Sequence, residues 1–225
     1  MLIISYGMPK TGSTLLFELT KALLEYMGYK QDLVSSVVNR EHVINFSNKL
    51  DEEGLLPFQS FAESSFLVLK THSEPTPYVR SEIEHGRIKC TVCIRDPRDQ
   101  VVSVLDHAKM SRQKGKNSFS EFFLVDDVIS MLLYREQQTL EWLELAPESA
   151  YFYEEFSKDT LGTINQLASQ FDLKVDDPSK VLELMKGRFT QFNKGMVGRY
   201  QTELTLKQQR QVAESVQGLF GKFYR

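Results

Sequence analysis

The chain has 225 residues, of which 41% are hydrophobic and 25% are charged, as in ordinary globular proteins. Its formal net charge of −3 excludes a general binder of polyanions such as nucleic acid, although a local cluster of cations can still create one anion site. No apolar run approaches the ~18 residues of a membrane helix and no signal peptide is recognisable, so we expect a cytoplasmic protein with no membrane partner.

Strands alternate with helices along the chain, which predicts one α/β domain over residues 1–225, with a central, mostly parallel sheet flanked by helices. The pattern predicts strands at 2–6, 66–70, 88–94 and 150–153. It predicts helices at 13–27, from 76, at 96–109, 119–145, 158–171 and 178–189, and from 205. A polar loop is expected at 111–118.

Cys90 and Cys93 both lie in the strand predicted at 88–94. Side chains alternate along a strand, so a spacing of three positions puts the two thiols on opposite faces of the sheet. This placement disfavours a joint zinc or redox site. We therefore interpret both cysteines as core residues in a reducing compartment.

A glycine-containing loop, residues 7–14, joins the first strand to the first helix. The backbone N–H groups of such a loop and the N-terminus of the helix favour phosphate binding. The spacing of Gly7 and Gly12 matches a nucleoside-triphosphate loop, but Ser13 stands where that loop has its lysine, and the lysine of this chain is Lys10. The loop therefore predicts a phosphate site unlike that of ATP or GTP hydrolases. A strand–helix turn without a ligand is the alternative.

The segment Pro9-Lys10-Thr11-Gly12-Ser13-Thr14 resembles the 5′-phosphosulfate loop of sulfotransferases that use 3′-phosphoadenosine-5′-phosphosulfate, or PAPS. In that family, which has a three-layer fold of the P-loop type, the lysine contacts the 5′-phosphate and the oxygen that bridges to sulfur. The resemblance implies this role for Lys10 and 5′-phosphate binding by Thr11, Gly12, Ser13 and Thr14. It also implies PAPS as co-substrate, 3′,5′-adenosine bisphosphate (PAP) as product, and no metal.

A second anion site is predicted at the end of the third strand, where Arg95 precedes a helix that carries Ser103. Ligands of open α/β sheets gather at the carboxyl ends of strands, so a guanidinium and a hydroxyl can converge there on one phosphate. The stretch is also similar to the 3′-phosphate motif of the family, which implies that role for both residues. We interpret Arg98 and Asp99 as structural charges. A surface helix start with local ion pairs is the alternative.

Lys70 ends the second predicted strand and is followed by Thr71 and His72. This segment resembles a Lys-Thr-His segment of the cytosolic, small-molecule sulfotransferases. There the histidine takes the proton from the acceptor and the lysine helps to hold the transferring group. An unperturbed histidine titrates in the range that this task needs, and Lys10 with Lys70 would stabilise negative charge. We expect His72, Lys10 and Lys70 to be catalytic. A polar loop histidine is the alternative for His72. His107 is interpreted as a solvated helix position, with a place in the wall of the acceptor site as the alternative.

Two later segments also resemble the family. Tyr153 corresponds to a tyrosine that approaches the adenine, with a core aromatic residue as the alternative. Lys194 and Gly195 lie in a loop of the kind that closes over a phosphate, with an ordinary loop between helices as the alternative. Asn193 replaces the expected arginine of that loop, and Leu15 stands where the family often has an adenine-stacking tryptophan. The dimer motif of cytosolic members is not recognisable, which leaves the oligomeric state open.

These segments together predict a short, bacterial-like sulfotransferase that moves a sulfuryl group from PAPS to a hydroxyl or amine of a small acceptor by in-line attack. One alternative is a P-loop nucleotide or small-molecule kinase, which Ser13 disfavours. Another is a non-catalytic relative that binds the bisphosphate. The sequence does not identify the acceptor, although the histidine base favours an apolar, hydroxyl-bearing compound over a sugar.

Overall fold

A computed structural model of the chain describes residues 1–31, 45–188 and 195–224. The strands in these ranges are β1 at Leu2–Gly7, β2 at Leu67–Thr71, β3 at Ile88–Ile94 and β4 at Ala150–Phe152. Each neighbouring pair is parallel, and the order across the sheet is β2-β1-β3-β4. The register pairs Tyr6 with Thr71 and Gly7 with Cys93, so β1, β2 and β3 end at nearly the same level.

Helices cover both faces of this sheet, which confirms the predicted α/β fold with a parallel sheet between helical layers. Their bounds are α1 Ser13–Tyr26, α2 Glu52–Ala62, α3 Pro77–Glu84, α4 Pro97–Gln113, α5 Val125–Leu145, α6 Tyr153–Phe156, α7 Thr160–Gln170, α8 Pro178–Met185, α9 Tyr200–Glu203, α10 Leu206–Ser215 and α11 Gln217–Phe223. A 3₁₀ turn, Pro147–Ser149, precedes β4. Within the described ranges, none of these helices combines the length and the apolar character that a membrane crossing requires.

The strand side chains alternate between two buried clusters, one on each face of the sheet. Leu2 and Ile4 belong to the cluster that includes residues of α4 and α5, whereas Ile3 belongs to the cluster that includes residues of α1 and α7. Cys90 lies in the first cluster and Cys93 in the second, as their spacing predicts. Burial raises the pKa of each thiol to about 12, so both remain neutral core residues at physiological pH.

The connection between α4 and α5 differs from the sequence prediction. Helix α4 continues to Gln113, so the predicted polar loop 111–118 begins inside the helix. Helix α5 begins at Val125 rather than at Phe119, which has a φ of 60° and therefore lies outside the right-handed helical region. The carboxylate of Asp127 accepts the two backbone N–H groups that precede the helix, which fixes its start.

Candidate active site

The carboxyl ends of β1, β2 and β3 border a cavity of about 340 Å³. It brings together most of the sequence-predicted site residues, namely Lys10, Gly12, Ser13, Thr14, Lys70, His72, Arg95, Ser103, Tyr153 and Gly195. Thr11 does not line the cavity, because its side chain is completely buried in the loop. Lys194 and Asn193 lie outside the described residues. Residues from distant parts of the sequence therefore share one space.

The loop after β1 is held in its curved path by side-chain hydrogen bonds. The Thr11 hydroxyl donates to the Met8 carbonyl over 2.7 Å, so this hydroxyl stabilises the loop itself. The side-chain amide of Gln100, on α4, donates to the Pro9 carbonyl over 2.7 Å. Lys10 has a φ of 69°, a conformation that is uncommon outside glycine. The path of the loop thus depends on its own residues and on the neighbouring helix.

Gly12 is required where the loop enters α1. Its φ is 93°, and a Cβ at this position would lie 2.4 Å from Cδ2 of Tyr153. The tyrosine begins α6 instead of ending the strand that the sequence predicted at 150–153. Its ring consequently packs directly against the loop 7–14, which the sequence predicts to bind phosphate.

Lys10 extends from this loop into the cavity and meets α4. Its Nζ lies 3.4 Å from Nδ1 of His107. Burial and the nearby Arg95 guanidinium lower the pKa of Lys10 to about 8, while Asp106 opposes the shift. Burial and the Lys10 ammonium lower the pKa of His107 in turn. His107 therefore lines the cavity, and its interpretation as a solvated helix position is wrong, because α4 turns that side chain toward the loop.

Lys70, the next lysine of the site, joins β2 to the start of α1. Its Nζ donates to the Thr14 hydroxyl over 2.5 Å, and both residues are buried. A buried ammonium is costly to desolvate, so its retention beside a phosphate-type loop indicates a site prepared for negative charge. The positive end of the α1 dipole acts in the same direction.

His72 is oriented by hydrogen bonds of its ring and of its backbone. Its Nδ1 lies 2.5 Å from the Gly7 carbonyl oxygen, which can only accept a hydrogen bond, so Nδ1 carries the proton. Its backbone N–H donates to Oδ1 of Asn48 over 3.2 Å, and its carbonyl accepts from Nη1 of Arg135 over 2.6 Å. In the neutral ring, the lone pair then belongs to Nε2.

Arg95 lies at the end of β3 and is only 6% exposed. Its guanidinium donates to the Lys10 carbonyl over 3.3 Å and to the Met196 carbonyl over 3.0 Å, and it stacks 4.3 Å from the Tyr153 ring centre. Its Nε is buried and has no hydrogen-bond partner among the described residues. Ser103, on α4, is also buried and lines the same cavity.

Asp99 attaches residues 195–199, the C-terminal loop that precedes α9, to the site. This buried carboxylate accepts the backbone N–H of Gly198 over 2.7 Å and that of Tyr200 over 3.0 Å, and it lies 3.8 Å from the Arg95 guanidinium. Arg98 pairs with Asp96 over 2.6 Å and stacks 3.9 Å from the Tyr200 ring centre. Both charges thus have structural partners, which agrees with their interpretation from the sequence.

Sequence reasoning missed several residues of the cavity wall. Asn48 follows a short segment that pairs with β2, Arg135 lies in the middle of α5, and Arg199 lies in the C-terminal loop. Asn48 and Arg135 belong to no motif, and a single polar residue on a helix gives no signal by itself. Arg199 lies in a loop that was predicted to close over a phosphate, but its guanidinium pairs with Asp106 and Glu203.

The sequence matches the family model described as "Sulfotransferase domain" over residues 1–223. The chain belongs to this family. No curated protein matches it.

Solved structures show the same fold for this sulfotransferase. Mouse sulfotransferase SULT7A1 complexed with PAP is 16% identical, with a TM-score of 0.63 over 100% of this chain and 84% of that one. Retinol dehydratase in complex with androsterone and the inactive cofactor PAP is 16% identical, with a TM-score of 0.62 over 100% of this chain and 82% of that one. A sulfotransferase from Alicyclobacillus acidocaldarius is 16% identical, with a TM-score of 0.50 over 99% and 95% of the two chains.

Proposed function

We propose that this sulfotransferase transfers a sulfuryl group from PAPS to the hydroxyl or amine of a small acceptor, with His72 as general base. The observation that carries the proposal is that Lys10 and Arg95, at the ends of the neighbouring strands β1 and β3, face one cavity. Two separate cationic sites in one cleft suit a ligand with phosphates at both ends of an adenosine. The PAP bound to the mouse relative supports this ligand.

The donor side of the cavity consists of residues 10–14, Arg95, Ser103 and Tyr153. In the proposal, Lys10, Thr11, Gly12, Ser13 and Thr14 bind the 5′-phosphate, Arg95 and Ser103 bind the 3′-phosphate, Tyr153 approaches the adenine, and Lys194 with Gly195 closes over the donor. The unpartnered, buried Nε of Arg95 supports an anion at this place, since a buried N–H group without an acceptor is costly. Thr11 contributes through the loop backbone, because its hydroxyl bonds to Met8.

PAPS supplies a sulfuryl group that is activated by its bond to phosphate. The acceptor oxygen forms a bond to sulfur, the bond between sulfur and the bridging oxygen breaks with its electron pair on the phosphate, and the acceptor proton moves to Nε2 of His72. The hydrogen bond from Nδ1 to the Gly7 carbonyl prepares Nε2 as the proton acceptor and stabilises the imidazolium that results.

Lys10 and Lys70 supply the positive charge that the reaction needs. Negative charge grows on the departing phosphate, and cations held in a buried site stabilise it better than water does. Lys70 is held by Thr14 and Lys10 rests near His107, so both ammonium groups are in place before a ligand binds. We also propose that residues 1–225 form one domain and that the protein acts in the cytoplasm.

A test measures PAP binding by isothermal titration calorimetry and then follows PAP release from PAPS with a panel of hydroxyl and amine acceptors. We expect binding in the micromolar range and PAP release that depends on one class of acceptor. Failure of PAP and PAPS to bind at millimolar concentration would contradict the proposal. Binding without turnover on any acceptor would instead indicate a non-catalytic relative, and Mg²⁺-dependent stabilisation by ATP would indicate a kinase.

A further inference from the structure

The cations that line the described part of the cavity are not equally neutralised. They are Lys10, Lys70, Arg95, Arg135 and Arg199. Arg199 forms ion pairs with Asp106 and Glu203, and Arg95 lies 3.8 Å from Asp99. The proposed function assigns Lys10, Lys70 and Arg95 to the donor and its departing phosphate. Of these five cations, Arg135 therefore has no ion pair with a carboxylate of the described residues and no assigned contact with the donor.

Arg135 uses one edge of its guanidinium to hold other parts of the protein. Its Nη1 donates to the His72 carbonyl over 2.6 Å and to Oε1 of Gln138 over 3.1 Å. Nε and Nη2 have no hydrogen-bond acceptor among the described residues. These two nitrogens form the fork of parallel N–H groups that binds a carboxylate with two hydrogen bonds. The guanidinium thus retains an unused carboxylate-binding edge, and Arg135 is half-buried in the cavity wall.

The position of Arg135 separates it from the donor side. It contacts His72, which follows β2, whereas Arg95 follows β3, two strands away in the order β2-β1-β3. Strands lie about 4.8 Å apart, so the strand ends that these two cations adjoin are separated by the width of β1. Asn48 also bonds to the His72 backbone and also lines the cavity. We call His72, Asn48 and Arg135 the acceptor side.

We propose that the acceptor carries a carboxylate and that the guanidinium of Arg135 binds it while the acceptor hydroxyl meets His72. The proposal rests on the proposed function and adds the substrate class, a small hydroxy acid. It revises the sequence-based preference for an apolar acceptor, because an uncompensated guanidinium beside the base favours an anion over a neutral compound. Phe119, which also lines the cavity, suits a hydroxy acid with an aromatic or apolar body.

The experiment compares hydroxy acids with their own amides, starting with 4-hydroxyphenylacetate and 4-hydroxyphenylacetamide. Dissociation constants are measured by calorimetry on the protein saturated with PAP and again without PAP, and kcat/KM is measured with PAPS. We expect at least one acid to bind about tenfold or more tightly than its amide. This ratio should fall to about one in Arg135→Met and be partly kept in Arg135→Lys, which retains the charge but not the fork.

The ratio of the affinities for an acid and its amide distinguishes two roles of Arg135, binding of the acceptor carboxylate and positioning of His72. Because Arg135 also holds the His72 carbonyl, a purely positioning role would lower kcat for acid and amide equally and leave the ratio unchanged, which would overturn the proposal. Equal affinity for every acid and its amide in the unaltered protein would also overturn it. Arg80→Met is the matched control, since Arg80 pairs with Glu141 and does not line the cavity, so the ratio should persist. Failure of PAP to bind contradicts the proposed function alone, because the acid–amide comparison without PAP remains decisive.

Discussion

The donor side and the acceptor side of the cavity are held in different ways. On the donor side, the loop hydrogen-bonds to itself and to α4, and Arg95 is 6% exposed and packed against Tyr153. On the acceptor side, His72 is half-buried and is oriented mainly through its backbone and its Nδ1, by an exposed Asn48 and a half-buried Arg135. The donor side is therefore built around one closely packed loop, whereas the acceptor side is assembled from side chains of separate segments.

We infer from this difference that the donor-binding residues tolerate little change, whereas the choice of acceptor can change through the acceptor side. A closely packed site tolerates few substitutions, since any change in volume or charge affects several neighbours. A site built from separate side chains can change its ligand through single substitutions. Variants of the donor side should therefore lose PAP binding, and variants of the acceptor side should keep it while they change turnover or acceptor choice.

His72→Ala gives the largest expected effect and tests this separation. Loss of a general base lowers kcat by roughly 10²–10⁴-fold, while the affinity for PAP should stay unchanged because His72 lies on the acceptor side. Stopped assays of PAP release and calorimetry measure the two quantities. His85→Ala, at an exposed histidine directly after α3, is the control and should retain activity. Full turnover in His72→Ala would move the base role to another group.

Arg95→Met should have the next largest effect, and on binding rather than on turnover. Removal of a buried, charged hydrogen-bond donor weakens the affinity for PAP by roughly 10–100-fold. Saturating PAPS should recover a large part of kcat. Calorimetry checks the affinity, and the exposed Arg210→Met controls for the loss of one positive charge. Unchanged PAP affinity would contradict the assignment of Arg95 to the 3′-phosphate.

The lowered pKa of Lys10 predicts that donor binding depends on pH. Lys10 loses its proton as the pH rises through about 8, whereas an ordinary lysine keeps it to about 10.4. The affinity for PAP should fall by up to about tenfold between pH 7 and pH 9, and binding at pH 8.5 should take up a proton because the bound anion favours the ammonium. Calorimetry in buffers of different ionisation enthalpy measures this uptake. Lys10→Met should abolish it, and a flat profile in the unaltered protein would contradict the prediction.

Asp99→Asn should have the smallest effect, on stability. An amide offers one acceptor oxygen in place of the two that bind the N–H groups of Gly198 and Tyr200, so one buried donor loses its partner. The free energy of unfolding should fall by roughly 1–3 kcal/mol, which lowers Tm by several degrees in a domain of this size. Thermal denaturation followed by circular dichroism measures the change. The exposed Asp176→Asn should leave Tm unaltered.

Much of the fold and of the donor side could be predicted because their signals are local. The strands at 2–6 and 88–94, the loop between Gly7 and Gly12, and the capped start of α4 are each encoded by consecutive residues. The start of α5 could not be predicted, because the residue pattern before Val125 is still typical of a helix. The hydrogen bonds from the backbone to Asp127 are what begin the helix there. The position of His107 was predicted wrongly for a related reason. The packing of α4 against the rest of the protein determines which of its side chains face the cavity, and the local sequence does not encode that packing.

The sequence by itself determined the α/β fold, the family, and the residues that follow the strands at the edge of the sheet. It could do so because a backbone loop and a strand end are shaped by neighbouring residues. Only the tertiary structure decided that Asn48, His107 and Arg135 reach the same cavity. These side chains are isolated in the sequence, and the packing of α4 and α5 against the sheet determines which of their faces meets the site.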